Sequence, residues 1–476
     1  MSLRYLLAAL LLILIAGCSL HRPQTVELPG TLPEDFHQPQ AQGMRPSPAQ
    51  PWWTIFADPA LDELINEAFA HNLDLAQALA RLEQAEALRR TTGAARLPRL
   101  DLQGQTRREK SPGIFGEHTG TSYNLSLAAA YEVDLWQKLS NHERAADLDL
   151  RAAGADAQTL LLSLSARIAD FYYLAAEQRS QRDLTDDNIA AFTDILQRVE
   201  SRYRQGLVPA LDVYQARQNL EAARARRPQY ERGLAQAEHA LAVLLGRYPG
   251  DLPTGTLMTL PAAPEAFPAG LPSELLAQRP DVSAALLRLE AADARIAAAV
   301  AERFPTFNLL AAYGYSRNAF ITGDISGTFW NLILNAAQPL FDGGRRKAEV
   351  ERNEALFRER LAAYHGSVIG AFQEVEDALA ANFAGEEQIM HLEDQNRSTE
   401  AALRLALDRY LAGLADYLPV LAAQSAHVES QSLLLNARRR LISDRISLAR
   451  ALGGIWMAQE LERHLTGITN QGIHQP

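Results

Sequence analysis

The sequence predicts a mainly α protein with a small β part, built from one large unit used twice. Three observations predict it. First, a shift of 207 positions brings two halves into register around Arg-Tyr-x-x-Gly-Leu, which stands at Arg202, Tyr203, Gly206, Leu207 and again at Arg409, Tyr410, Gly413, Leu414. The same shift pairs Arg81-Leu82-Glu83 with Arg288-Leu289-Glu290, and Leu245-Gly246 with Leu452-Gly453. Solenoid repeats have periods of roughly 20 to 50 residues, so this is a duplicated domain-sized unit. Second, 138–203 and 345–410 each run 66 residues without proline. Leu161, Leu164, Ile168, Phe171 and Ala175, then Ile189, Phe192, Leu196, Val199 and Tyr203, step by three and four as one helix face requires. Third, Tyr123, Leu125, Leu127, Ala129, Tyr131 and Val133 alternate with Asn124, Ser126, Ala128, Ala130, Glu132 and Asp134, the period of a strand.

Read in order, the chain opens with Arg4, an apolar run from Leu6 to Ala16, and Ala16-Gly17 ahead of Cys18, which is the pattern of a secretory signal over 1–17. The run is too short to span a bilayer as a helix. Cys18 is the only cysteine, so no internal disulfide forms. Residues 18–60 read as an extended tether punctuated by Pro23, Pro29, Pro33, Pro39, Pro46, Pro48 and Pro51. The first repeat follows over 61–247, a Pro-rich linker over 248–272, the second repeat over 273–456, and a C-terminal tail over 457–476.

Within the first repeat, Asp58-Pro59 supplies a cap and a first-turn proline, and the helix is predicted to run to about Arg96, before Pro98. A weak strand, Leu100 to Arg108, precedes a loop from Glu109 to Ser122 and the alternating stretch Tyr123–Val133, whose 11 residues match the roughly 9 to 11 that cross a bilayer. The second repeat predicts strands from Thr306 to Ser316 and from Thr328 to Phe341, with a loop through Gly323 and Gly327. Each long helix spans about 100 Å at 1.5 Å per residue. Gly206 and Gly413 then suit the left-handed residue that ends a helix, and Pro209 and Pro419 suit the start of the next. Each motif therefore marks the tip of a long antiparallel hairpin.

Composition narrows the function. A net charge of -11 argues against a nucleic-acid partner, which calls for clustered Lys and Arg. Arg438-Arg439-Arg440 points three ways on a helix and reads as solvated surface. No nucleophile, base and orienting group stand at catalytic spacing; the 11 histidines are scattered singly, without ligand spacing. The reading is a protein that is not an enzyme and has no cofactor or metal. Phe171, Tyr172 and Tyr173 read as core, while Phe115 and Phe320-Ile321 fall in the strand-connecting loops, where they either plug the outer mouth or pack against a neighbour.

Four strands cannot close a barrel around a lumen, and an open edge in lipid leaves backbone groups unsatisfied at several kcal/mol each. The chain must therefore oligomerise if its strands enter a membrane. Three chains supply twelve strands, an even antiparallel barrel.

The chain resembles the TolC-like outer-membrane factors, in their lipidated efflux-pump branch, over essentially all of the mature sequence. The matching motifs are Trp52-Trp53-x-x-Phe56-x-Asp58-Pro59-x-Leu61, Tyr131-Glu132-Val133-Asp134-Leu135-Trp136, Leu271-Pro272-Ser273 with Arg279-Pro280-Asp281-Val282, Pro339-Leu340-Phe341-Asp342-Gly343-Gly344, and Ala451-Leu452-Gly453-Gly454-x-Trp456. The resemblance implies a homotrimer with a twelve-stranded β-barrel in the outer membrane of a Gram-negative cell and an α-helical barrel crossing the periplasm. It further implies partnership with a periplasmic adaptor and an inner-membrane pump of RND type. Ile15-Ala16-Gly17-Cys18 resembles a lipobox, which implies diacylglycerol and N-acyl chains on Cys18.

By the same resemblance the constriction falls on Tyr410 and Leu418, to which the gate reading adds Asp416 as the nearby acid, and tip or adaptor contacts fall on Arg202, Tyr203, Gly206, Leu207, Arg409, Gly413 and Leu414. The family's usual acidic ring position holds Ala422 and its basic partner Ser425, leaving Asp416 and Asp212 as the acids near the two tips. Either acid, just after a helix-ending Gly, equally suits an N-cap. Gln137 replaces a common strand-to-helix Gly, and Leu286 a common Glu. The implied function is a passive exit duct for small molecules. A type I secretion channel shares the architecture, and a periplasmic helical scaffold lipoprotein is the reading from another class.

Overall fold

The computed structural model describes residues 21–26, 28–39, 47–113, 116–250, 260–320 and 323–472. Cys18, Phe115 and Ile321 lie outside the described residues, as does the Phe320 side chain. After a 3-10 turn at Trp52–Phe56, the elements are α1 (Pro59–His71), α2 (Leu73–Ala94), β1 (Arg99–Gly113), β2 (Gly116–Val133), α3 (Lys138–Arg204) and α4 (Ala210–Leu244). The second repeat supplies α5 (Pro272–Gln278), α6 (Pro280–Ala301), β3 (Thr306–Phe320), β4 (Gly323–Ala337), α7 (Arg345–Leu411) and α8 (Leu418–Leu452). The shift of 207 maps α2 onto α6, β1 onto β3 and α3 onto α7 end for end. The described part of the C-terminal tail read over 457–476 lies in α9 (Trp456–Gly472).

Two compact units emerge. One holds the sheet, from Arg81–Gly154 and Ala284–Gly366; the other holds the hairpins, from Pro29–Ala80, Ala155–Ser283 and Ser367 onward.

In the sheet unit the strands lie antiparallel in the order β1-β2-β3-β4. They are longer than predicted, at 15, 18, 15 and 15 residues. The stretch read as a loop, Glu109 to Ser122, continues both strands, with Arg107 opposite Ser122 and Pro112 opposite Glu117. Likewise Arg317 opposes Ser326 across the second expected loop, and β4 ends at Ala337, before Pro339. Glycine and charge suggested a loop, but ladder hydrogen bonds tolerate both where side chains remain in water.

Register fixes the two faces. Leu102 pairs with Leu127, Leu127 with Tyr313, and Tyr313 with Trp330, so all four stand on one face. That face is exposed, at 72% for Leu102 and 74% for Trp330. Gln103, Ser126, Asn308, Asn331 and Asn335 take the opposite face. Apolar residues outward and polar residues inward invert the pattern of a water-soluble sheet and match a lipid-facing one. Among the described residues, the outer edges of β1 and β4 have no strand partner.

Both strand-to-helix corners in this unit are capped by aspartate. Asp134 accepts from the Leu139 and Ser140 amides at 2.9 and 2.8 Å. At the second corner the aspartate is Asp342, one position beyond the 207-residue shift from Asp134, and it accepts from the Gly344 and Arg346 amides at 3.1 and 3.3 Å. Gln137 adopts φ 61°, the left-handed conformation that its counterpart Gly344 takes with φ 84°.

In the hairpin unit, the single helix predicted for 58–96 is broken at Asn72, whose carbonyl-bearing side chain caps α2 through the Leu75 amide at 3.0 Å. The Asn72 amide donates to Leu244 O at 2.8 Å, and its repeat counterpart Arg279 donates to Ala451 O at 3.1 Å. Gly246 and Gly453 close the same corners with φ 72° and 70°. A Cβ on either would meet the backbone oxygen of His71 or Gln278 at 2.3 and 2.5 Å, so the family-like Leu-Gly ending is a demand for bare backbone.

The Trp-Trp motif packs here too. Trp52 Nε1 donates to Ser165 at 2.9 Å, and the Trp53 ring meets Trp456 edge-on at 4.9 Å. Tyr172 and Tyr173 are core, as predicted. Part of the tether is ordered against the unit, where the His37 and Gln38 amides donate to Glu376 at 2.7 and 3.0 Å. Arg438 and Arg439 are more than solvated surface: Arg438 pairs with Glu393 at 2.9 Å and Arg439 lies 3.9 Å from Asp170.

Candidate functional site at the hairpin tips

Arg-Tyr-x-x-Gly-Leu is a helix-stop device. At the first tip the Gly206 amide donates to Tyr203 O at 2.9 Å and the Leu207 amide to Arg202 O at 3.0 Å. At the second, Gly413 donates to Tyr410 O at 3.0 Å and Leu414 to Arg409 O at 2.9 Å. These paired bonds satisfy carbonyls that the ended helix leaves orphaned, and they require the left-handed glycine, here at φ 70° and 73°.

The two copies then part in role. Tyr203 is 47% exposed, whereas Tyr410 is 2% exposed and sits in a core shared by both hairpins. Phe192, Val199, Leu220, Tyr417 and Val420 surround it. The Tyr410 hydroxyl donates to Asp212 Oδ2 at 3.0 Å. Its ring meets Tyr417 at 5.1 Å with an interplanar angle of 63°. The guanidinium carbon of Arg202 lies 5.3 Å from the Tyr410 ring centroid, a cation–π approach. Arg202 Nη1 also donates to Leu411 O at 2.6 Å. One residue of the first motif thus holds the end of the second.

A second polar contact lies farther along the hairpins. Gln424 Oε1 accepts from Asn219 Nδ2 at 2.7 Å and from the Tyr417 hydroxyl at 3.4 Å. The side chain is buried, and its Nε2 has no partner among the described residues. Asp212 and Asn219, like Tyr417 and Gln424, are seven residues apart, the period of a helix–helix seam. The polar positions therefore recur along one seam between the hairpins.

Burial sets the tyrosine chemistry. Exclusion from water pushes the Tyr410 phenol well above its ordinary value, and the hydrogen bond to Asp212 adds to it. Burial likewise pushes Tyr417 up to about 12, against a hydrogen bond to Gln424 that lowers it. Both therefore remain neutral donors at physiological pH.

Of the residues predicted for the gate, the structure gathers Tyr410 with Asp212 and Arg202, and leaves Asp416 and Leu418 exposed. Asp416 takes no hydrogen-bond or ion-pair partner among the described residues. Neither acid is an N-cap: α4 is preceded by Pro209 and α8 by Tyr417, without a side-chain cap bond. The reason is the tyrosine pair, since Asp212 turns into the hairpin core instead of toward its own helix start. Among the contact residues, Leu207 and Leu414 are exposed at 61% and 71%, with Arg409 also exposed. Sequence reading missed Tyr417, Asn219 and Gln424, although their seven-residue spacing was visible.

Comparison with known proteins follows the repeat. Residues 64–247 and 271–454 match the outer membrane efflux protein family, one segment for each copy. A probable efflux pump outer membrane protein, SepC of Pseudomonas putida, is 33% identical over 477 residues, covering 96% of this chain and 98% of that protein. The pyoverdine export outer membrane protein OpmQ of Pseudomonas putida is 31% identical over 458 residues, covering 94% and 97%. Among solved structures, the outer-membrane channel OprN superposes with a TM-score of 0.85 at 28% identity, covering 92% of this chain and 100% of that one. The open state of the Neisseria gonorrhoeae MtrE outer membrane channel gives 0.78 at 26%, covering 92% and 98%.

Proposed function

The chain belongs to the outer membrane efflux protein family, and from that premise we propose how it works as the outer-membrane exit duct of an efflux pump. Three copies close a twelve-stranded barrel, β4 of each chain pairing with β1 of the next. The single observation that supports this most directly is the sheet: its apolar face is exposed and both of its edges are open among the described residues. Closure removes the edges and places the polar face on the lumen. A periplasmic scaffold has no use for such a face.

The duct is passive. The energy comes from an inner-membrane pump of RND type, reached through a periplasmic adaptor that meets the hairpin ends at Arg202, Tyr203, Leu207, Arg409 and Leu414. Its cargo is small molecules. Diacylglycerol and N-acyl chains on Cys18 anchor the chain, since each buried methylene contributes about 0.8 kcal/mol.

The periplasmic aperture is held shut at the hairpin tips. Tyr410 acts from inside, tying the second hairpin to Asp212 of the first, while Leu418 and Asp416 present the surface that narrows the opening. Conductance of the purified protein in a planar bilayer tests the reading. Low conductance that rises when the tip contacts are cut supports a gated duct; an electrically silent trimer whose tip variants are also silent refutes it.

A further inference from the structure

We infer that the outward face of the sheet carries a binding site for the phosphorylated lipid of the outer leaflet, where the apolar band gives way to the ends of the strands at the β1–β2 and β3–β4 connections. The inference rests on the reading of this sheet as an outer-membrane span.

The register ranks this face in rows. The row of Leu102, Leu127, Tyr313 and Trp330 is wholly apolar. The next brings Gly104 beside Leu125 and Tyr315; the one after that brings Thr106 beside Tyr123 and Arg317. One row farther stands Arg108, opposite Thr121. Tyrosines followed by cations mark the passage from hydrocarbon to headgroup.

At that passage the face is hollow. Gly104 contributes no side chain, and a hollow of about 460 Å³ opens there, lined by Gly104, Thr106, Tyr123, Leu125, Tyr315 and Arg317 of the outward face together with Gln105 and Asn124 of the alternate positions. A Cβ on Gly104 would meet nothing closer than Leu125 Cδ1 at 3.9 Å, so packing does not require the glycine. The empty space is a feature of the surface and not a result of crowding.

The charges suit a phosphate. Arg317 is oriented by Asp324, which accepts from Nε at 2.9 Å and from Nη2. Its guanidinium is still 57% exposed along the side chain. Arg108 is exposed and has no ion-pair partner among the described residues. Lys110, another row out, is already paired with Glu117. Guanidinium groups bind phosphate with paired donors, so Arg317 and Arg108 are the contacts. Leu125 in the hollow and Leu127 in the next row accept an acyl chain, which a free phosphate has no means to use. Charge and apolar surface together therefore select a phosphorylated lipid over a soluble anion.

The test measures lipid binding to the full purified chain by native mass spectrometry. The probes are lipid A carrying its phosphates, the same lipid A dephosphorylated, and inorganic phosphate. Phosphorylated lipid A should bind at least tenfold tighter than the dephosphorylated form. Arg108→Gln with Arg317→Gln should abolish that preference, while Gly104→Leu should weaken both lipids. Asp324→Asn breaks the ion pair but keeps the guanidinium, and should retain the preference. Equal binding of the two lipids overturns the proposal, as does Asp324→Asn behaving like the arginine variants, or millimolar phosphate displacing the lipid. Heat-modifiable migration and bilayer conductance, read on the same samples, separate this from the membrane reading. A chain that inserts and conducts without lipid preference sinks the lipid site alone; one that does neither sinks the span.

Discussion

The Tyr410 hydroxyl donates to Asp212 at 3.0 Å across the boundary between the two hairpins, inside a core that both hairpins build. A hydrogen bond to a charged acceptor contributes about 1.5–3 kcal/mol, more when its loss strands a buried group. Asp212 is only 7% exposed, so removing the hydroxyl leaves the carboxylate without this donor in little water. Tyr410→Phe should therefore raise the open fraction on the order of tenfold or more, read as closed-state conductance in a planar bilayer. Asp212→Asn retains an acceptor and should have the smaller effect. Equal conductance of wild type and Tyr410→Phe would remove the tie from the gate.

Tyr417 carries a pH prediction. Its folded-state value is raised to about 12 by burial, above the ordinary value of about 10. The neutral phenol is the form the fold favours. Its contribution is full below pH 10 and is lost as pH climbs through the folded value. The phenolate absorbance step missing from Tyr417→Phe should accordingly fall near pH 12. A missing step near pH 10 would mean that Tyr417 is wet.

Much of this was legible in the sequence because duplication is a pattern of identity and not of propensity. The exact shift of 207 positions located both tips, both sets of strands and both long helices. The strand ends were not legible: Glu109–Ser122 carries glycine and charge, which local chemistry assigns to a loop, while the ladder to Arg99–Gly113 continues regardless. Nor was the break at Asn72, since it depends on Leu244 O, 172 residues away. Tyr203 and Tyr410 share one motif, and no local pattern says which is buried. That difference comes from the neighbouring hairpin.

Gln137 holds a left-handed backbone at φ 61° where its counterpart Gly344 stands freely. A side chain in that region costs about 1–2 kcal/mol. Gln137→Gly should stabilise the sheet unit by about 1 kcal/mol, partly offset by the added freedom of the unfolded chain. The denaturant midpoint of sheet unfolding should rise, and Gly344→Gln should lower it. A fall in the midpoint of Gln137→Gly would show that side-chain contacts of Gln137 outweigh the strain.

Asn72 and Arg279 occupy equivalent corners and make the same bond, to Leu244 O and Ala451 O. Their substitution costs should nonetheless differ. Asn72→Ala loses a cap and one neutral hydrogen bond, about 1–2 kcal/mol. Arg279 is a charge with only 8% of its side chain exposed, paired with Asp281 at 2.7 Å and Glu374 at 2.8 Å. Arg279→Met fills much of the volume but loses the bond to Ala451 O and both charged contacts, which costs about 2–3 kcal/mol because the two acids, at 34% and 45% exposure, turn partly to water. Glu374 is the more exposed acid and turns partly to water, so Glu374→Gln should cost well under half as much. The three variants, compared by denaturant unfolding of the detergent-solubilised protein, should rank Arg279→Met, then Asn72→Ala, then Glu374→Gln. An Arg279→Met variant as stable as wild type would mean that the arginine serves only to place Asp281 and that packing alone holds the corner.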